Sequence, residues 1–509
     1  MKLITCIVLA LTSFSFAQHP QDLVSPDALA VLSIKNASSI QTSLNAISSK
    51  SVGSPIDDVL SQFIKNPTAI DYSKGVLLTI EPGVMPEGQR PTGMFGVMPH
   101  LVVICKPKAG QTLQLNSFSG VNTSTMHDGW FVAAGGNSWL PPEGGKVSPI
   151  FAQLPEGQVS LHVMFGKLWS QIGPITQMAG GMKIGQMNKP GPTGVIDTGT
   201  RKQTAAISQA FRKVMQFCSQ INSISASATL NRGVLGSEIM VERKNLSEVI
   251  VDNTTMFEMA TSLRGGTLQY SMSGEFTSVL MDYQLGLMAN DFDAFPIVAV
   301  TEVMRELTHL QGDNVVMYDL DSKEGLTIHA LAETTDAEAY LSKAATLIDE
   351  RTDQFASQFQ MELEPNAKFP TTWDVNMIGD DASDMMVMHT IVPVDTVFSF
   401  GQLGNWVSFI FGPKSSLPFA KSQGANNLSK LIASNKELSI EFAMSLDARK
   451  FAGAIMAIAE SAGTNTGSNK IASTPSAVIE AVLGSKGKGW KFKTEMDLAG
   501  LAKLTEEME

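Results

Sequence analysis

Three cysteines in 509 residues are too few for a disulfide-stapled fold. None belongs to a CxxC pair, so neither a zinc ribbon nor a redox dithiol is built locally. Cys6 lies in an N-terminal apolar stretch, which leaves Cys105 and Cys218. In an oxidising compartment these two are candidates for one disulfide. Cys218 also falls on the apolar stripe of a predicted helix, where a buried free thiol is the plain alternative. Histidine is scarce as well. The seven, at 19, 100, 127, 162, 309, 329 and 389, show no HxH or HxxxH spacing that would bring two imidazoles onto one metal. A GxSxG nucleophile elbow, an HExxH helix and a GxxxxGK[ST] phosphate loop are all missing. Ser485-Lys486-Gly487-Lys488 fits S-x-x-K by letters only, because it falls in a Gly-rich turn and that chemistry needs the lysine one helical turn beyond the serine.

Long basic runs are absent too. Lys plus Arg number 37 against 49 Asp plus Glu, a net charge of −12, and a chain without a basic track has little with which to neutralise a phosphate backbone. No nucleic-acid partner is expected. After the N-terminus no apolar run is long enough to span a bilayer, since 385–412 is broken by His389, Pro393, Asp395 and Gly404. "MKLITCIVLALTSFSFAQ" is different. Lys2 is followed by apolar residues from Leu3 to Leu11, and Ser15 and Ala17 occupy the small positions of a cleavage site. Residues 1–17 therefore read as a signal peptide cut between Ala17 and Gln18. The mature chain is expected in the periplasm or outside the cell, with no transmembrane segment left after removal of the signal.

What the sequence does contain is repetition. "LSIEFAMSLDARKFAGAIMA" (438–457) alternates at Leu438, Ile440, Phe442 and Met444, then switches to helical spacing at Phe451, Ile455 and Ile458. Period 2 marks a pleated face and period 3.6 a helical one. The same switch occurs in "DALAVLSIKNASSIQTSLNAI" (27–47), "QVSLHVMFGKLWSQIGPITQM" (158–178) and "GTLQYSMSGEFTSVLMDYQLGLM" (266–288). A second helix is expected after each: 54–67, 205–221, 299–311 and 474–484, where Ser54, Pro55 and Pro475 look like starts and Gly484 a stop. Strand pairs follow, as in 223–243, which turns at Asn231-Arg232-Gly233.

Two Trp strands, "DGWFVAAGG" (128–136) and "GNWVSFIFG" (404–412), precede the second and fourth units. Trp130 and Trp406 lie 276 positions apart, and Val159 and Leu438 lie 279 apart, which points to one internal duplication. The expected fold is α+β: two similar halves, 18–255 and 256–509, each with two strand–helix–helix–strand–strand units. The sheets are expected to be mostly antiparallel or mixed and covered by helices. With its "PDALAVLSI" and "DGWFVAAG" strands, the chain resembles a broad group of uncharacterised secreted bacterial proteins built from duplicated α/β repeats. The resemblance implies no catalytic residues.

The remaining site candidates each have an ordinary reading. Asp291 and Asp293, and Asp380, Asp381 and Asp384, have oxygens for calcium but no EF-hand pattern, and turns and helix caps select the same residues. Methionine is abundant at 27. Met178, Met182 and Met187 in a Gly-rich stretch are candidate thioether ligands for Cu(I), although methionine also fills irregular cores. Trp130 and Trp406 either pack under helices or stand exposed as anchors for a protein or glycan. The segment 180–203 has the Gly, Pro and Lys content of a mobile surface loop. The functional expectation is a non-enzymatic exported protein with no cofactor. It would bind an envelope protein, a glycan or an apolar ligand, or act as an envelope scaffold. The alternatives are a hydrolase whose site is assembled from distant residues and, more weakly, methionine-mediated copper handling.

Overall fold

The computed structural model describes residues 19–47, 55–82, 99–116, 121–135, 147–187, 198–244, 251–278, 307, 311–321, 324–359, 361–369, 371–377, 392–393, 395–417, 424–461, 471, 474–475 and 477–508. Ala17 and Gln18 of the expected cleavage site, His309, His389 and the aspartates at 291, 293, 380, 381 and 384 lie outside them. The chain divides into two compact units, Met1–Asn231 with Ser237–Leu246, and Arg232–Gly236 with Ser247–Glu509.

The first unit is built on β1 (Ala30–Ile34), β2 (Val76–Glu81), β3 (His100–Cys105), β4 (Thr123–His127), β5 (Trp130–Ala134), β6 (Val159–Val163) and β7 (Ile221–Asn231), with β8 (Val234–Arg243) following β7. Their antiparallel order is β4-β5-β3-β2-β1-β6-β7. Leu32 of β1 sits opposite Leu78 on one side and Leu161 on the other. Asp128 (φ 48°) and Gly129 (φ 81°) make the tight β4–β5 turn, a reversal that needs left-handed backbone at both central residues. Both faces of the central strands are covered. One faces α1 (Ala37–Ile47) and α2 (Pro55–Leu60) through Ile34, Leu78, Val103 and Phe131 with Leu60 and Ile64. The other packs Val31, Leu77, Ile104 and Val132 against Leu23 and Ile150 of the 3-10 turns Pro20–Leu23 and Pro149–Gln153. Burial on two sides is why these strands read as continuous apolar runs such as "HLVVIC" instead of clean alternations.

The second unit contains β9 (Leu268–Met272), β10 (Gln311–Asp321), β11 (Gly325–Thr334), β12 (Met361–Pro365), β13 (Thr372–Met377), β14 (Thr396–Leu403), β15 (Trp406–Pro413), β16 (Ser439–Asp447), β17 (Val478–Lys486) and β18 (Gly489–Asp497). They pair antiparallel in the order β12-β13-β14-β15-β11-β10-β9-β16-β17-β18. β9 is central, with Tyr270 opposite Val316 and Met444. The outer strand β12 carries exposed Glu362, Glu364 and Pro365 around a buried Leu363. Apart from β12 and β13 the order repeats that of the first unit strand for strand: β14 stands for β4, β15 for β5, β11 for β3, β10 for β2, β9 for β1, β16 for β6 and β17 for β7. Trp130 opens β5 and Trp406 opens β15.

The expected fold class is nevertheless corrected. Pairing is antiparallel throughout, and the eighteen strands belong to one hydrogen-bonded sheet, not to two helix-covered halves of strand–helix–helix–strand–strand units. Three elements account for the difference. The expected helix at 474–484 is instead β17, because "VIEAVLG" suits either period and its register with β16 and β18 decides the matter. The helix expected over 54–67 stops at Leu60, and Ile64 makes an isolated bridge to Leu115. The loop expected over 180–203 is helical as far as Met187 and again from Thr198.

Ile104 is fully buried in β3, whereas Val59 is 47% exposed on α2. Ile104→Ala is expected to cost about 2–5 kcal/mol and Val59→Ala less than about 0.5 kcal/mol, read as shifts of the denaturant midpoint at constant slope.

Candidate binding site on a helical hairpin

Between β6 and β7 the chain inserts two 23-residue helices, α3 (Phe165–Met187) and α4 (Thr198–Gln220). Their contact depends on small residues in α3. A Cβ on Gly180 would lie 2.3 Å from the Phe211 ring, and one on Gly173 would lie 3.0 Å from the Trp169 indole. Gly180 thus leaves the space that Phe211 fills, at the helix-propensity cost a mid-helix glycine carries. Phe165 stacks on Trp169 with ring centroids 5.5 Å apart, which fixes the indole at the start of α3. Trp169, Gly173, Pro174, Phe211 and Met215 then line an open groove of about 480 Å³, with Ser170, Gln177, Arg212, Gln216 and Ser219 supplying its polar atoms.

The outer side of α4 is more unusual. The stripe Ile207, Phe211, Val214, Cys218 and Ile221 has the spacing of a core-facing helix, but only part of it is covered. Ile207 is 36% exposed, Val214 56% and Phe217 42%, and Met182 on α3 is 56% exposed. Charge is segregated on the same two helices. They contain Lys167, Lys183, Arg201, Lys202, Arg212 and Lys213 and no acidic residue, in a chain of net charge −12. That segregation was readable from the letters alone, and reading the apolar stripe as core hid it.

The residues singled out from sequence fall elsewhere or act differently. Met178 is half-buried on α3 and Met182 exposed, one helical turn apart, and Met187 is the last residue of that helix. Trp130 is 6% exposed, packed with Val31, Val132 and Ile150 beneath the 3-10 turns, with the Lys106 ammonium 5.6 Å from its ring centroid. Trp406 is half-buried against the core formed by Leu428, Leu431 and Ile440. The tryptophans fill the interior, and neither forms an exposed anchor. Cys105 and Cys218 are free, so the candidate disulfide is withdrawn. Cys105 is fully buried in β3, and burial pushes its thiol up to about 12.

Polar groups meet at several places, and three of them bear on chemistry. His162 of β6 is 3% exposed and lies opposite both Val31 and Ser225, with Nδ1 2.8 Å from Ser225 Oγ. Burial lowers its pKa, and its Nε2 has no hydrogen-bond partner. A nucleophile–base pair needs an open approach and a third group orienting the base. This pair is a cross-strand contact inside the sheet. At the other end of β2 and β3, Glu81 accepts from the Ser25 N–H at 3.1 Å and the Thr79 hydroxyl at 3.2 Å, and lies 4.0 Å from His100. Burial raises the Glu81 pKa and lowers that of His100, which drives both toward their neutral forms and weakens the ion pair.

In the second unit Ser273 donates to Glu441 at 2.5 Å, and Asp313 accepts from the Gly274 N–H at 3.3 Å. Desolvation raises the Asp313 pKa, and the charges of Glu333, Glu441 and Asp252 raise it further. Among the described residues no group of three or more His, Cys, Asp or Glu side chains is placed to hold a metal ion. The same residues include no helix long and apolar enough to cross a membrane.

No family model matches the chain, and no curated protein matches it. Among solved structures, crystal forms III and I of TP0453 are similar to it at TM-scores of 0.25 and 0.23, each with 7% identity. They cover 49% and 51% of this chain and 97% and 99% of the TP0453 chain. That likeness carries no argument. The reading of function below rests on the chain's own groove and surface.

A carboxyl whose folded pKa is raised stabilises the fold below its ordinary value, 3.8 for Asp313, and loses that contribution as pH rises through the folded pKa. Asp313→Asn keeps an acceptor for Gly274 and removes the repelled charge. It is expected to raise the melting temperature by a few degrees at pH 8 and to change it far less at pH 4. Thermal melts of both proteins across that range measure the difference.

Proposed function

We propose that this is an exported, non-enzymatic binding protein that takes an apolar chain in the α3–α4 groove. The groove carries the proposal. Its floor is Trp169, Phe211, Met215 and Pro174, and its volume of about 480 Å³ falls within the ~300–1,000 Å³ usual for small-ligand clefts. Apolar walls favour a ligand that gains by leaving water, roughly in proportion to the apolar area covered. Arg212, Gln216 and Ser219 at the polar side suit a ligand ending in an anionic or hydrogen-bonding group. The N-terminal signal pattern supports export, and the duplicated strand order supports a scaffold role for the sheet, with the helical insertion as the part that binds.

An anionic apolar dye of the anilinonaphthalene sulfonate type should bind saturably with a rise in fluorescence. Met215→Asp places a charge on the groove wall and is expected to weaken binding about tenfold or more, whereas Val214→Asp, outside the groove, should leave it nearly unchanged. Linear, unsaturable fluorescence, or equal effects of the two substitutions, would remove the groove as the ligand site.

A further inference from the structure

We infer that β4 forms the contact of a two-fold dimer, its outer edge pairing antiparallel with β4 of a second copy of the chain. The turn at Asp128 and Gly129 sets its register on β5, with His127 opposite Trp130, Thr125 opposite Val132 and Thr123 opposite Ala134. In a two-residue hairpin the pair next to the turn is hydrogen-bonded, and bonded and unbonded pairs alternate from there. His127, Thr125 and Thr123 therefore turn their backbone groups toward β5, and Ser124 and Met126 turn theirs away from it. Among the described residues β4 pairs with β5 alone. Ser124 and Thr125 are exposed, and Met126 is 54% exposed.

The second unit shows what such an edge accepts. β14 and β15 make the equivalent hairpin, with Leu403 opposite Trp406, so Phe400 stands where Ser124 does, three residues before the strand end. The Phe400 N–H donates outward to the Thr371 carbonyl at 2.9 Å, where the antiparallel strand β13 begins. β13 lies in the long connection 335–395 between β11 and β14, and its counterpart in the first unit, 106–122, is far shorter. The strand that covers β4 must then come from another molecule.

β4 fits itself. The outward groups of Ser124 and Met126 lie symmetrically about Thr125. A two-fold axis at Thr125 sets each Ser124 opposite Met126 of the second copy, and each such pair exchanges two N–H···O bonds. Thr125 then faces Thr125 and Thr123 faces His127, so a favourable threonine pair forms and no charge meets its like. A peptide of a different protein would find the same ladder, but "TSTMH" has no acid, lysine or arginine with which to select its sequence. β12, which ends the strand order of the second unit, is closed to the same pairing by exposed Glu362 and Glu364 and by Pro365. One open edge per chain closes the assembly at two copies.

Sedimentation velocity of the full chain, from micromolar to about millimolar concentration, tests this. A reversible monomer–dimer equilibrium is expected, and a weak one because the contact is small. Ser124→Pro removes an outward donor and none of the bonds to β5, and it should weaken dimerisation about tenfold or more. Thr125→Lys and Thr125→Glu each set like charges opposite one another across the axis. Each alone should stay monomeric, and their equimolar mixture should regain the dimer. General damage to the hairpin would not give that recovery. Phe451→Lys, at a residue of the second unit that is 45% exposed, serves as control and should leave the equilibrium unchanged, and circular dichroism melts confirm that each variant folds. A chain monomeric up to about millimolar concentration, a dimer indifferent to Ser124→Pro, or a mixture of the two Thr125 variants that stays monomeric would overturn the inference. So would larger species that grow with concentration, because the pairing closes at two copies.

Discussion

Both units depend on one strand that is paired on either side. β1 lies between β2 and β6, and β9 lies between β10 and β16. A strand in that position has its backbone hydrogen-bonding groups taken up on both edges. Its neighbours in sequence must therefore leave the sheet, cover it and return. The helical excursions after β1, between β6 and β7 and between β16 and β17 follow from that requirement. The units also differ there. The first unit inserts α3 and α4 between its equivalent strands, and the second inserts the helix Ala448–Ser461.

Function is more easily varied in such an excursion than in the sheet. The inner strands are paired on both sides, so a change of register would move each side chain to the opposite face. A hairpin of helices joined to the sheet at its ends relies largely on side-chain packing, such as Phe211 over Gly180. One side of α4 then makes the groove. The polar pairs within the sheets are constrained in the opposite way. His162 with Ser225 and Ser273 with Glu441 hold strands and turns together.

Much of the strand pattern was legible in the sequence. The period change at 438–457 corresponds to β16 running straight into a helix at Ala448, and the spacing of the Trp strands corresponds to β5 and β15. Legibility failed where one local signal admits two structures. "VIEAVLG" satisfies both helical and extended periods, and only its partners β16 and β18 make it a strand. The strand order itself was out of reach, because it is a property of pairings between distant segments. For the candidate site the failure was of another kind. The stripe through Ile207 and Val214 marks an amphipathic helix correctly, but amphipathicity does not say whether the partner of the apolar face is the protein's own core.

The outer strand of the second unit also has a bearing on where the protein can work. β12 reads Met361-Glu362-Leu363-Glu364-Pro365, with both glutamates exposed and the proline lacking an amide hydrogen. Molecules that meet edge to edge across a bare ladder would recruit one another into fibrils. Two carboxylates and a missing donor make that rim a poor template, so crowding need not become aggregation.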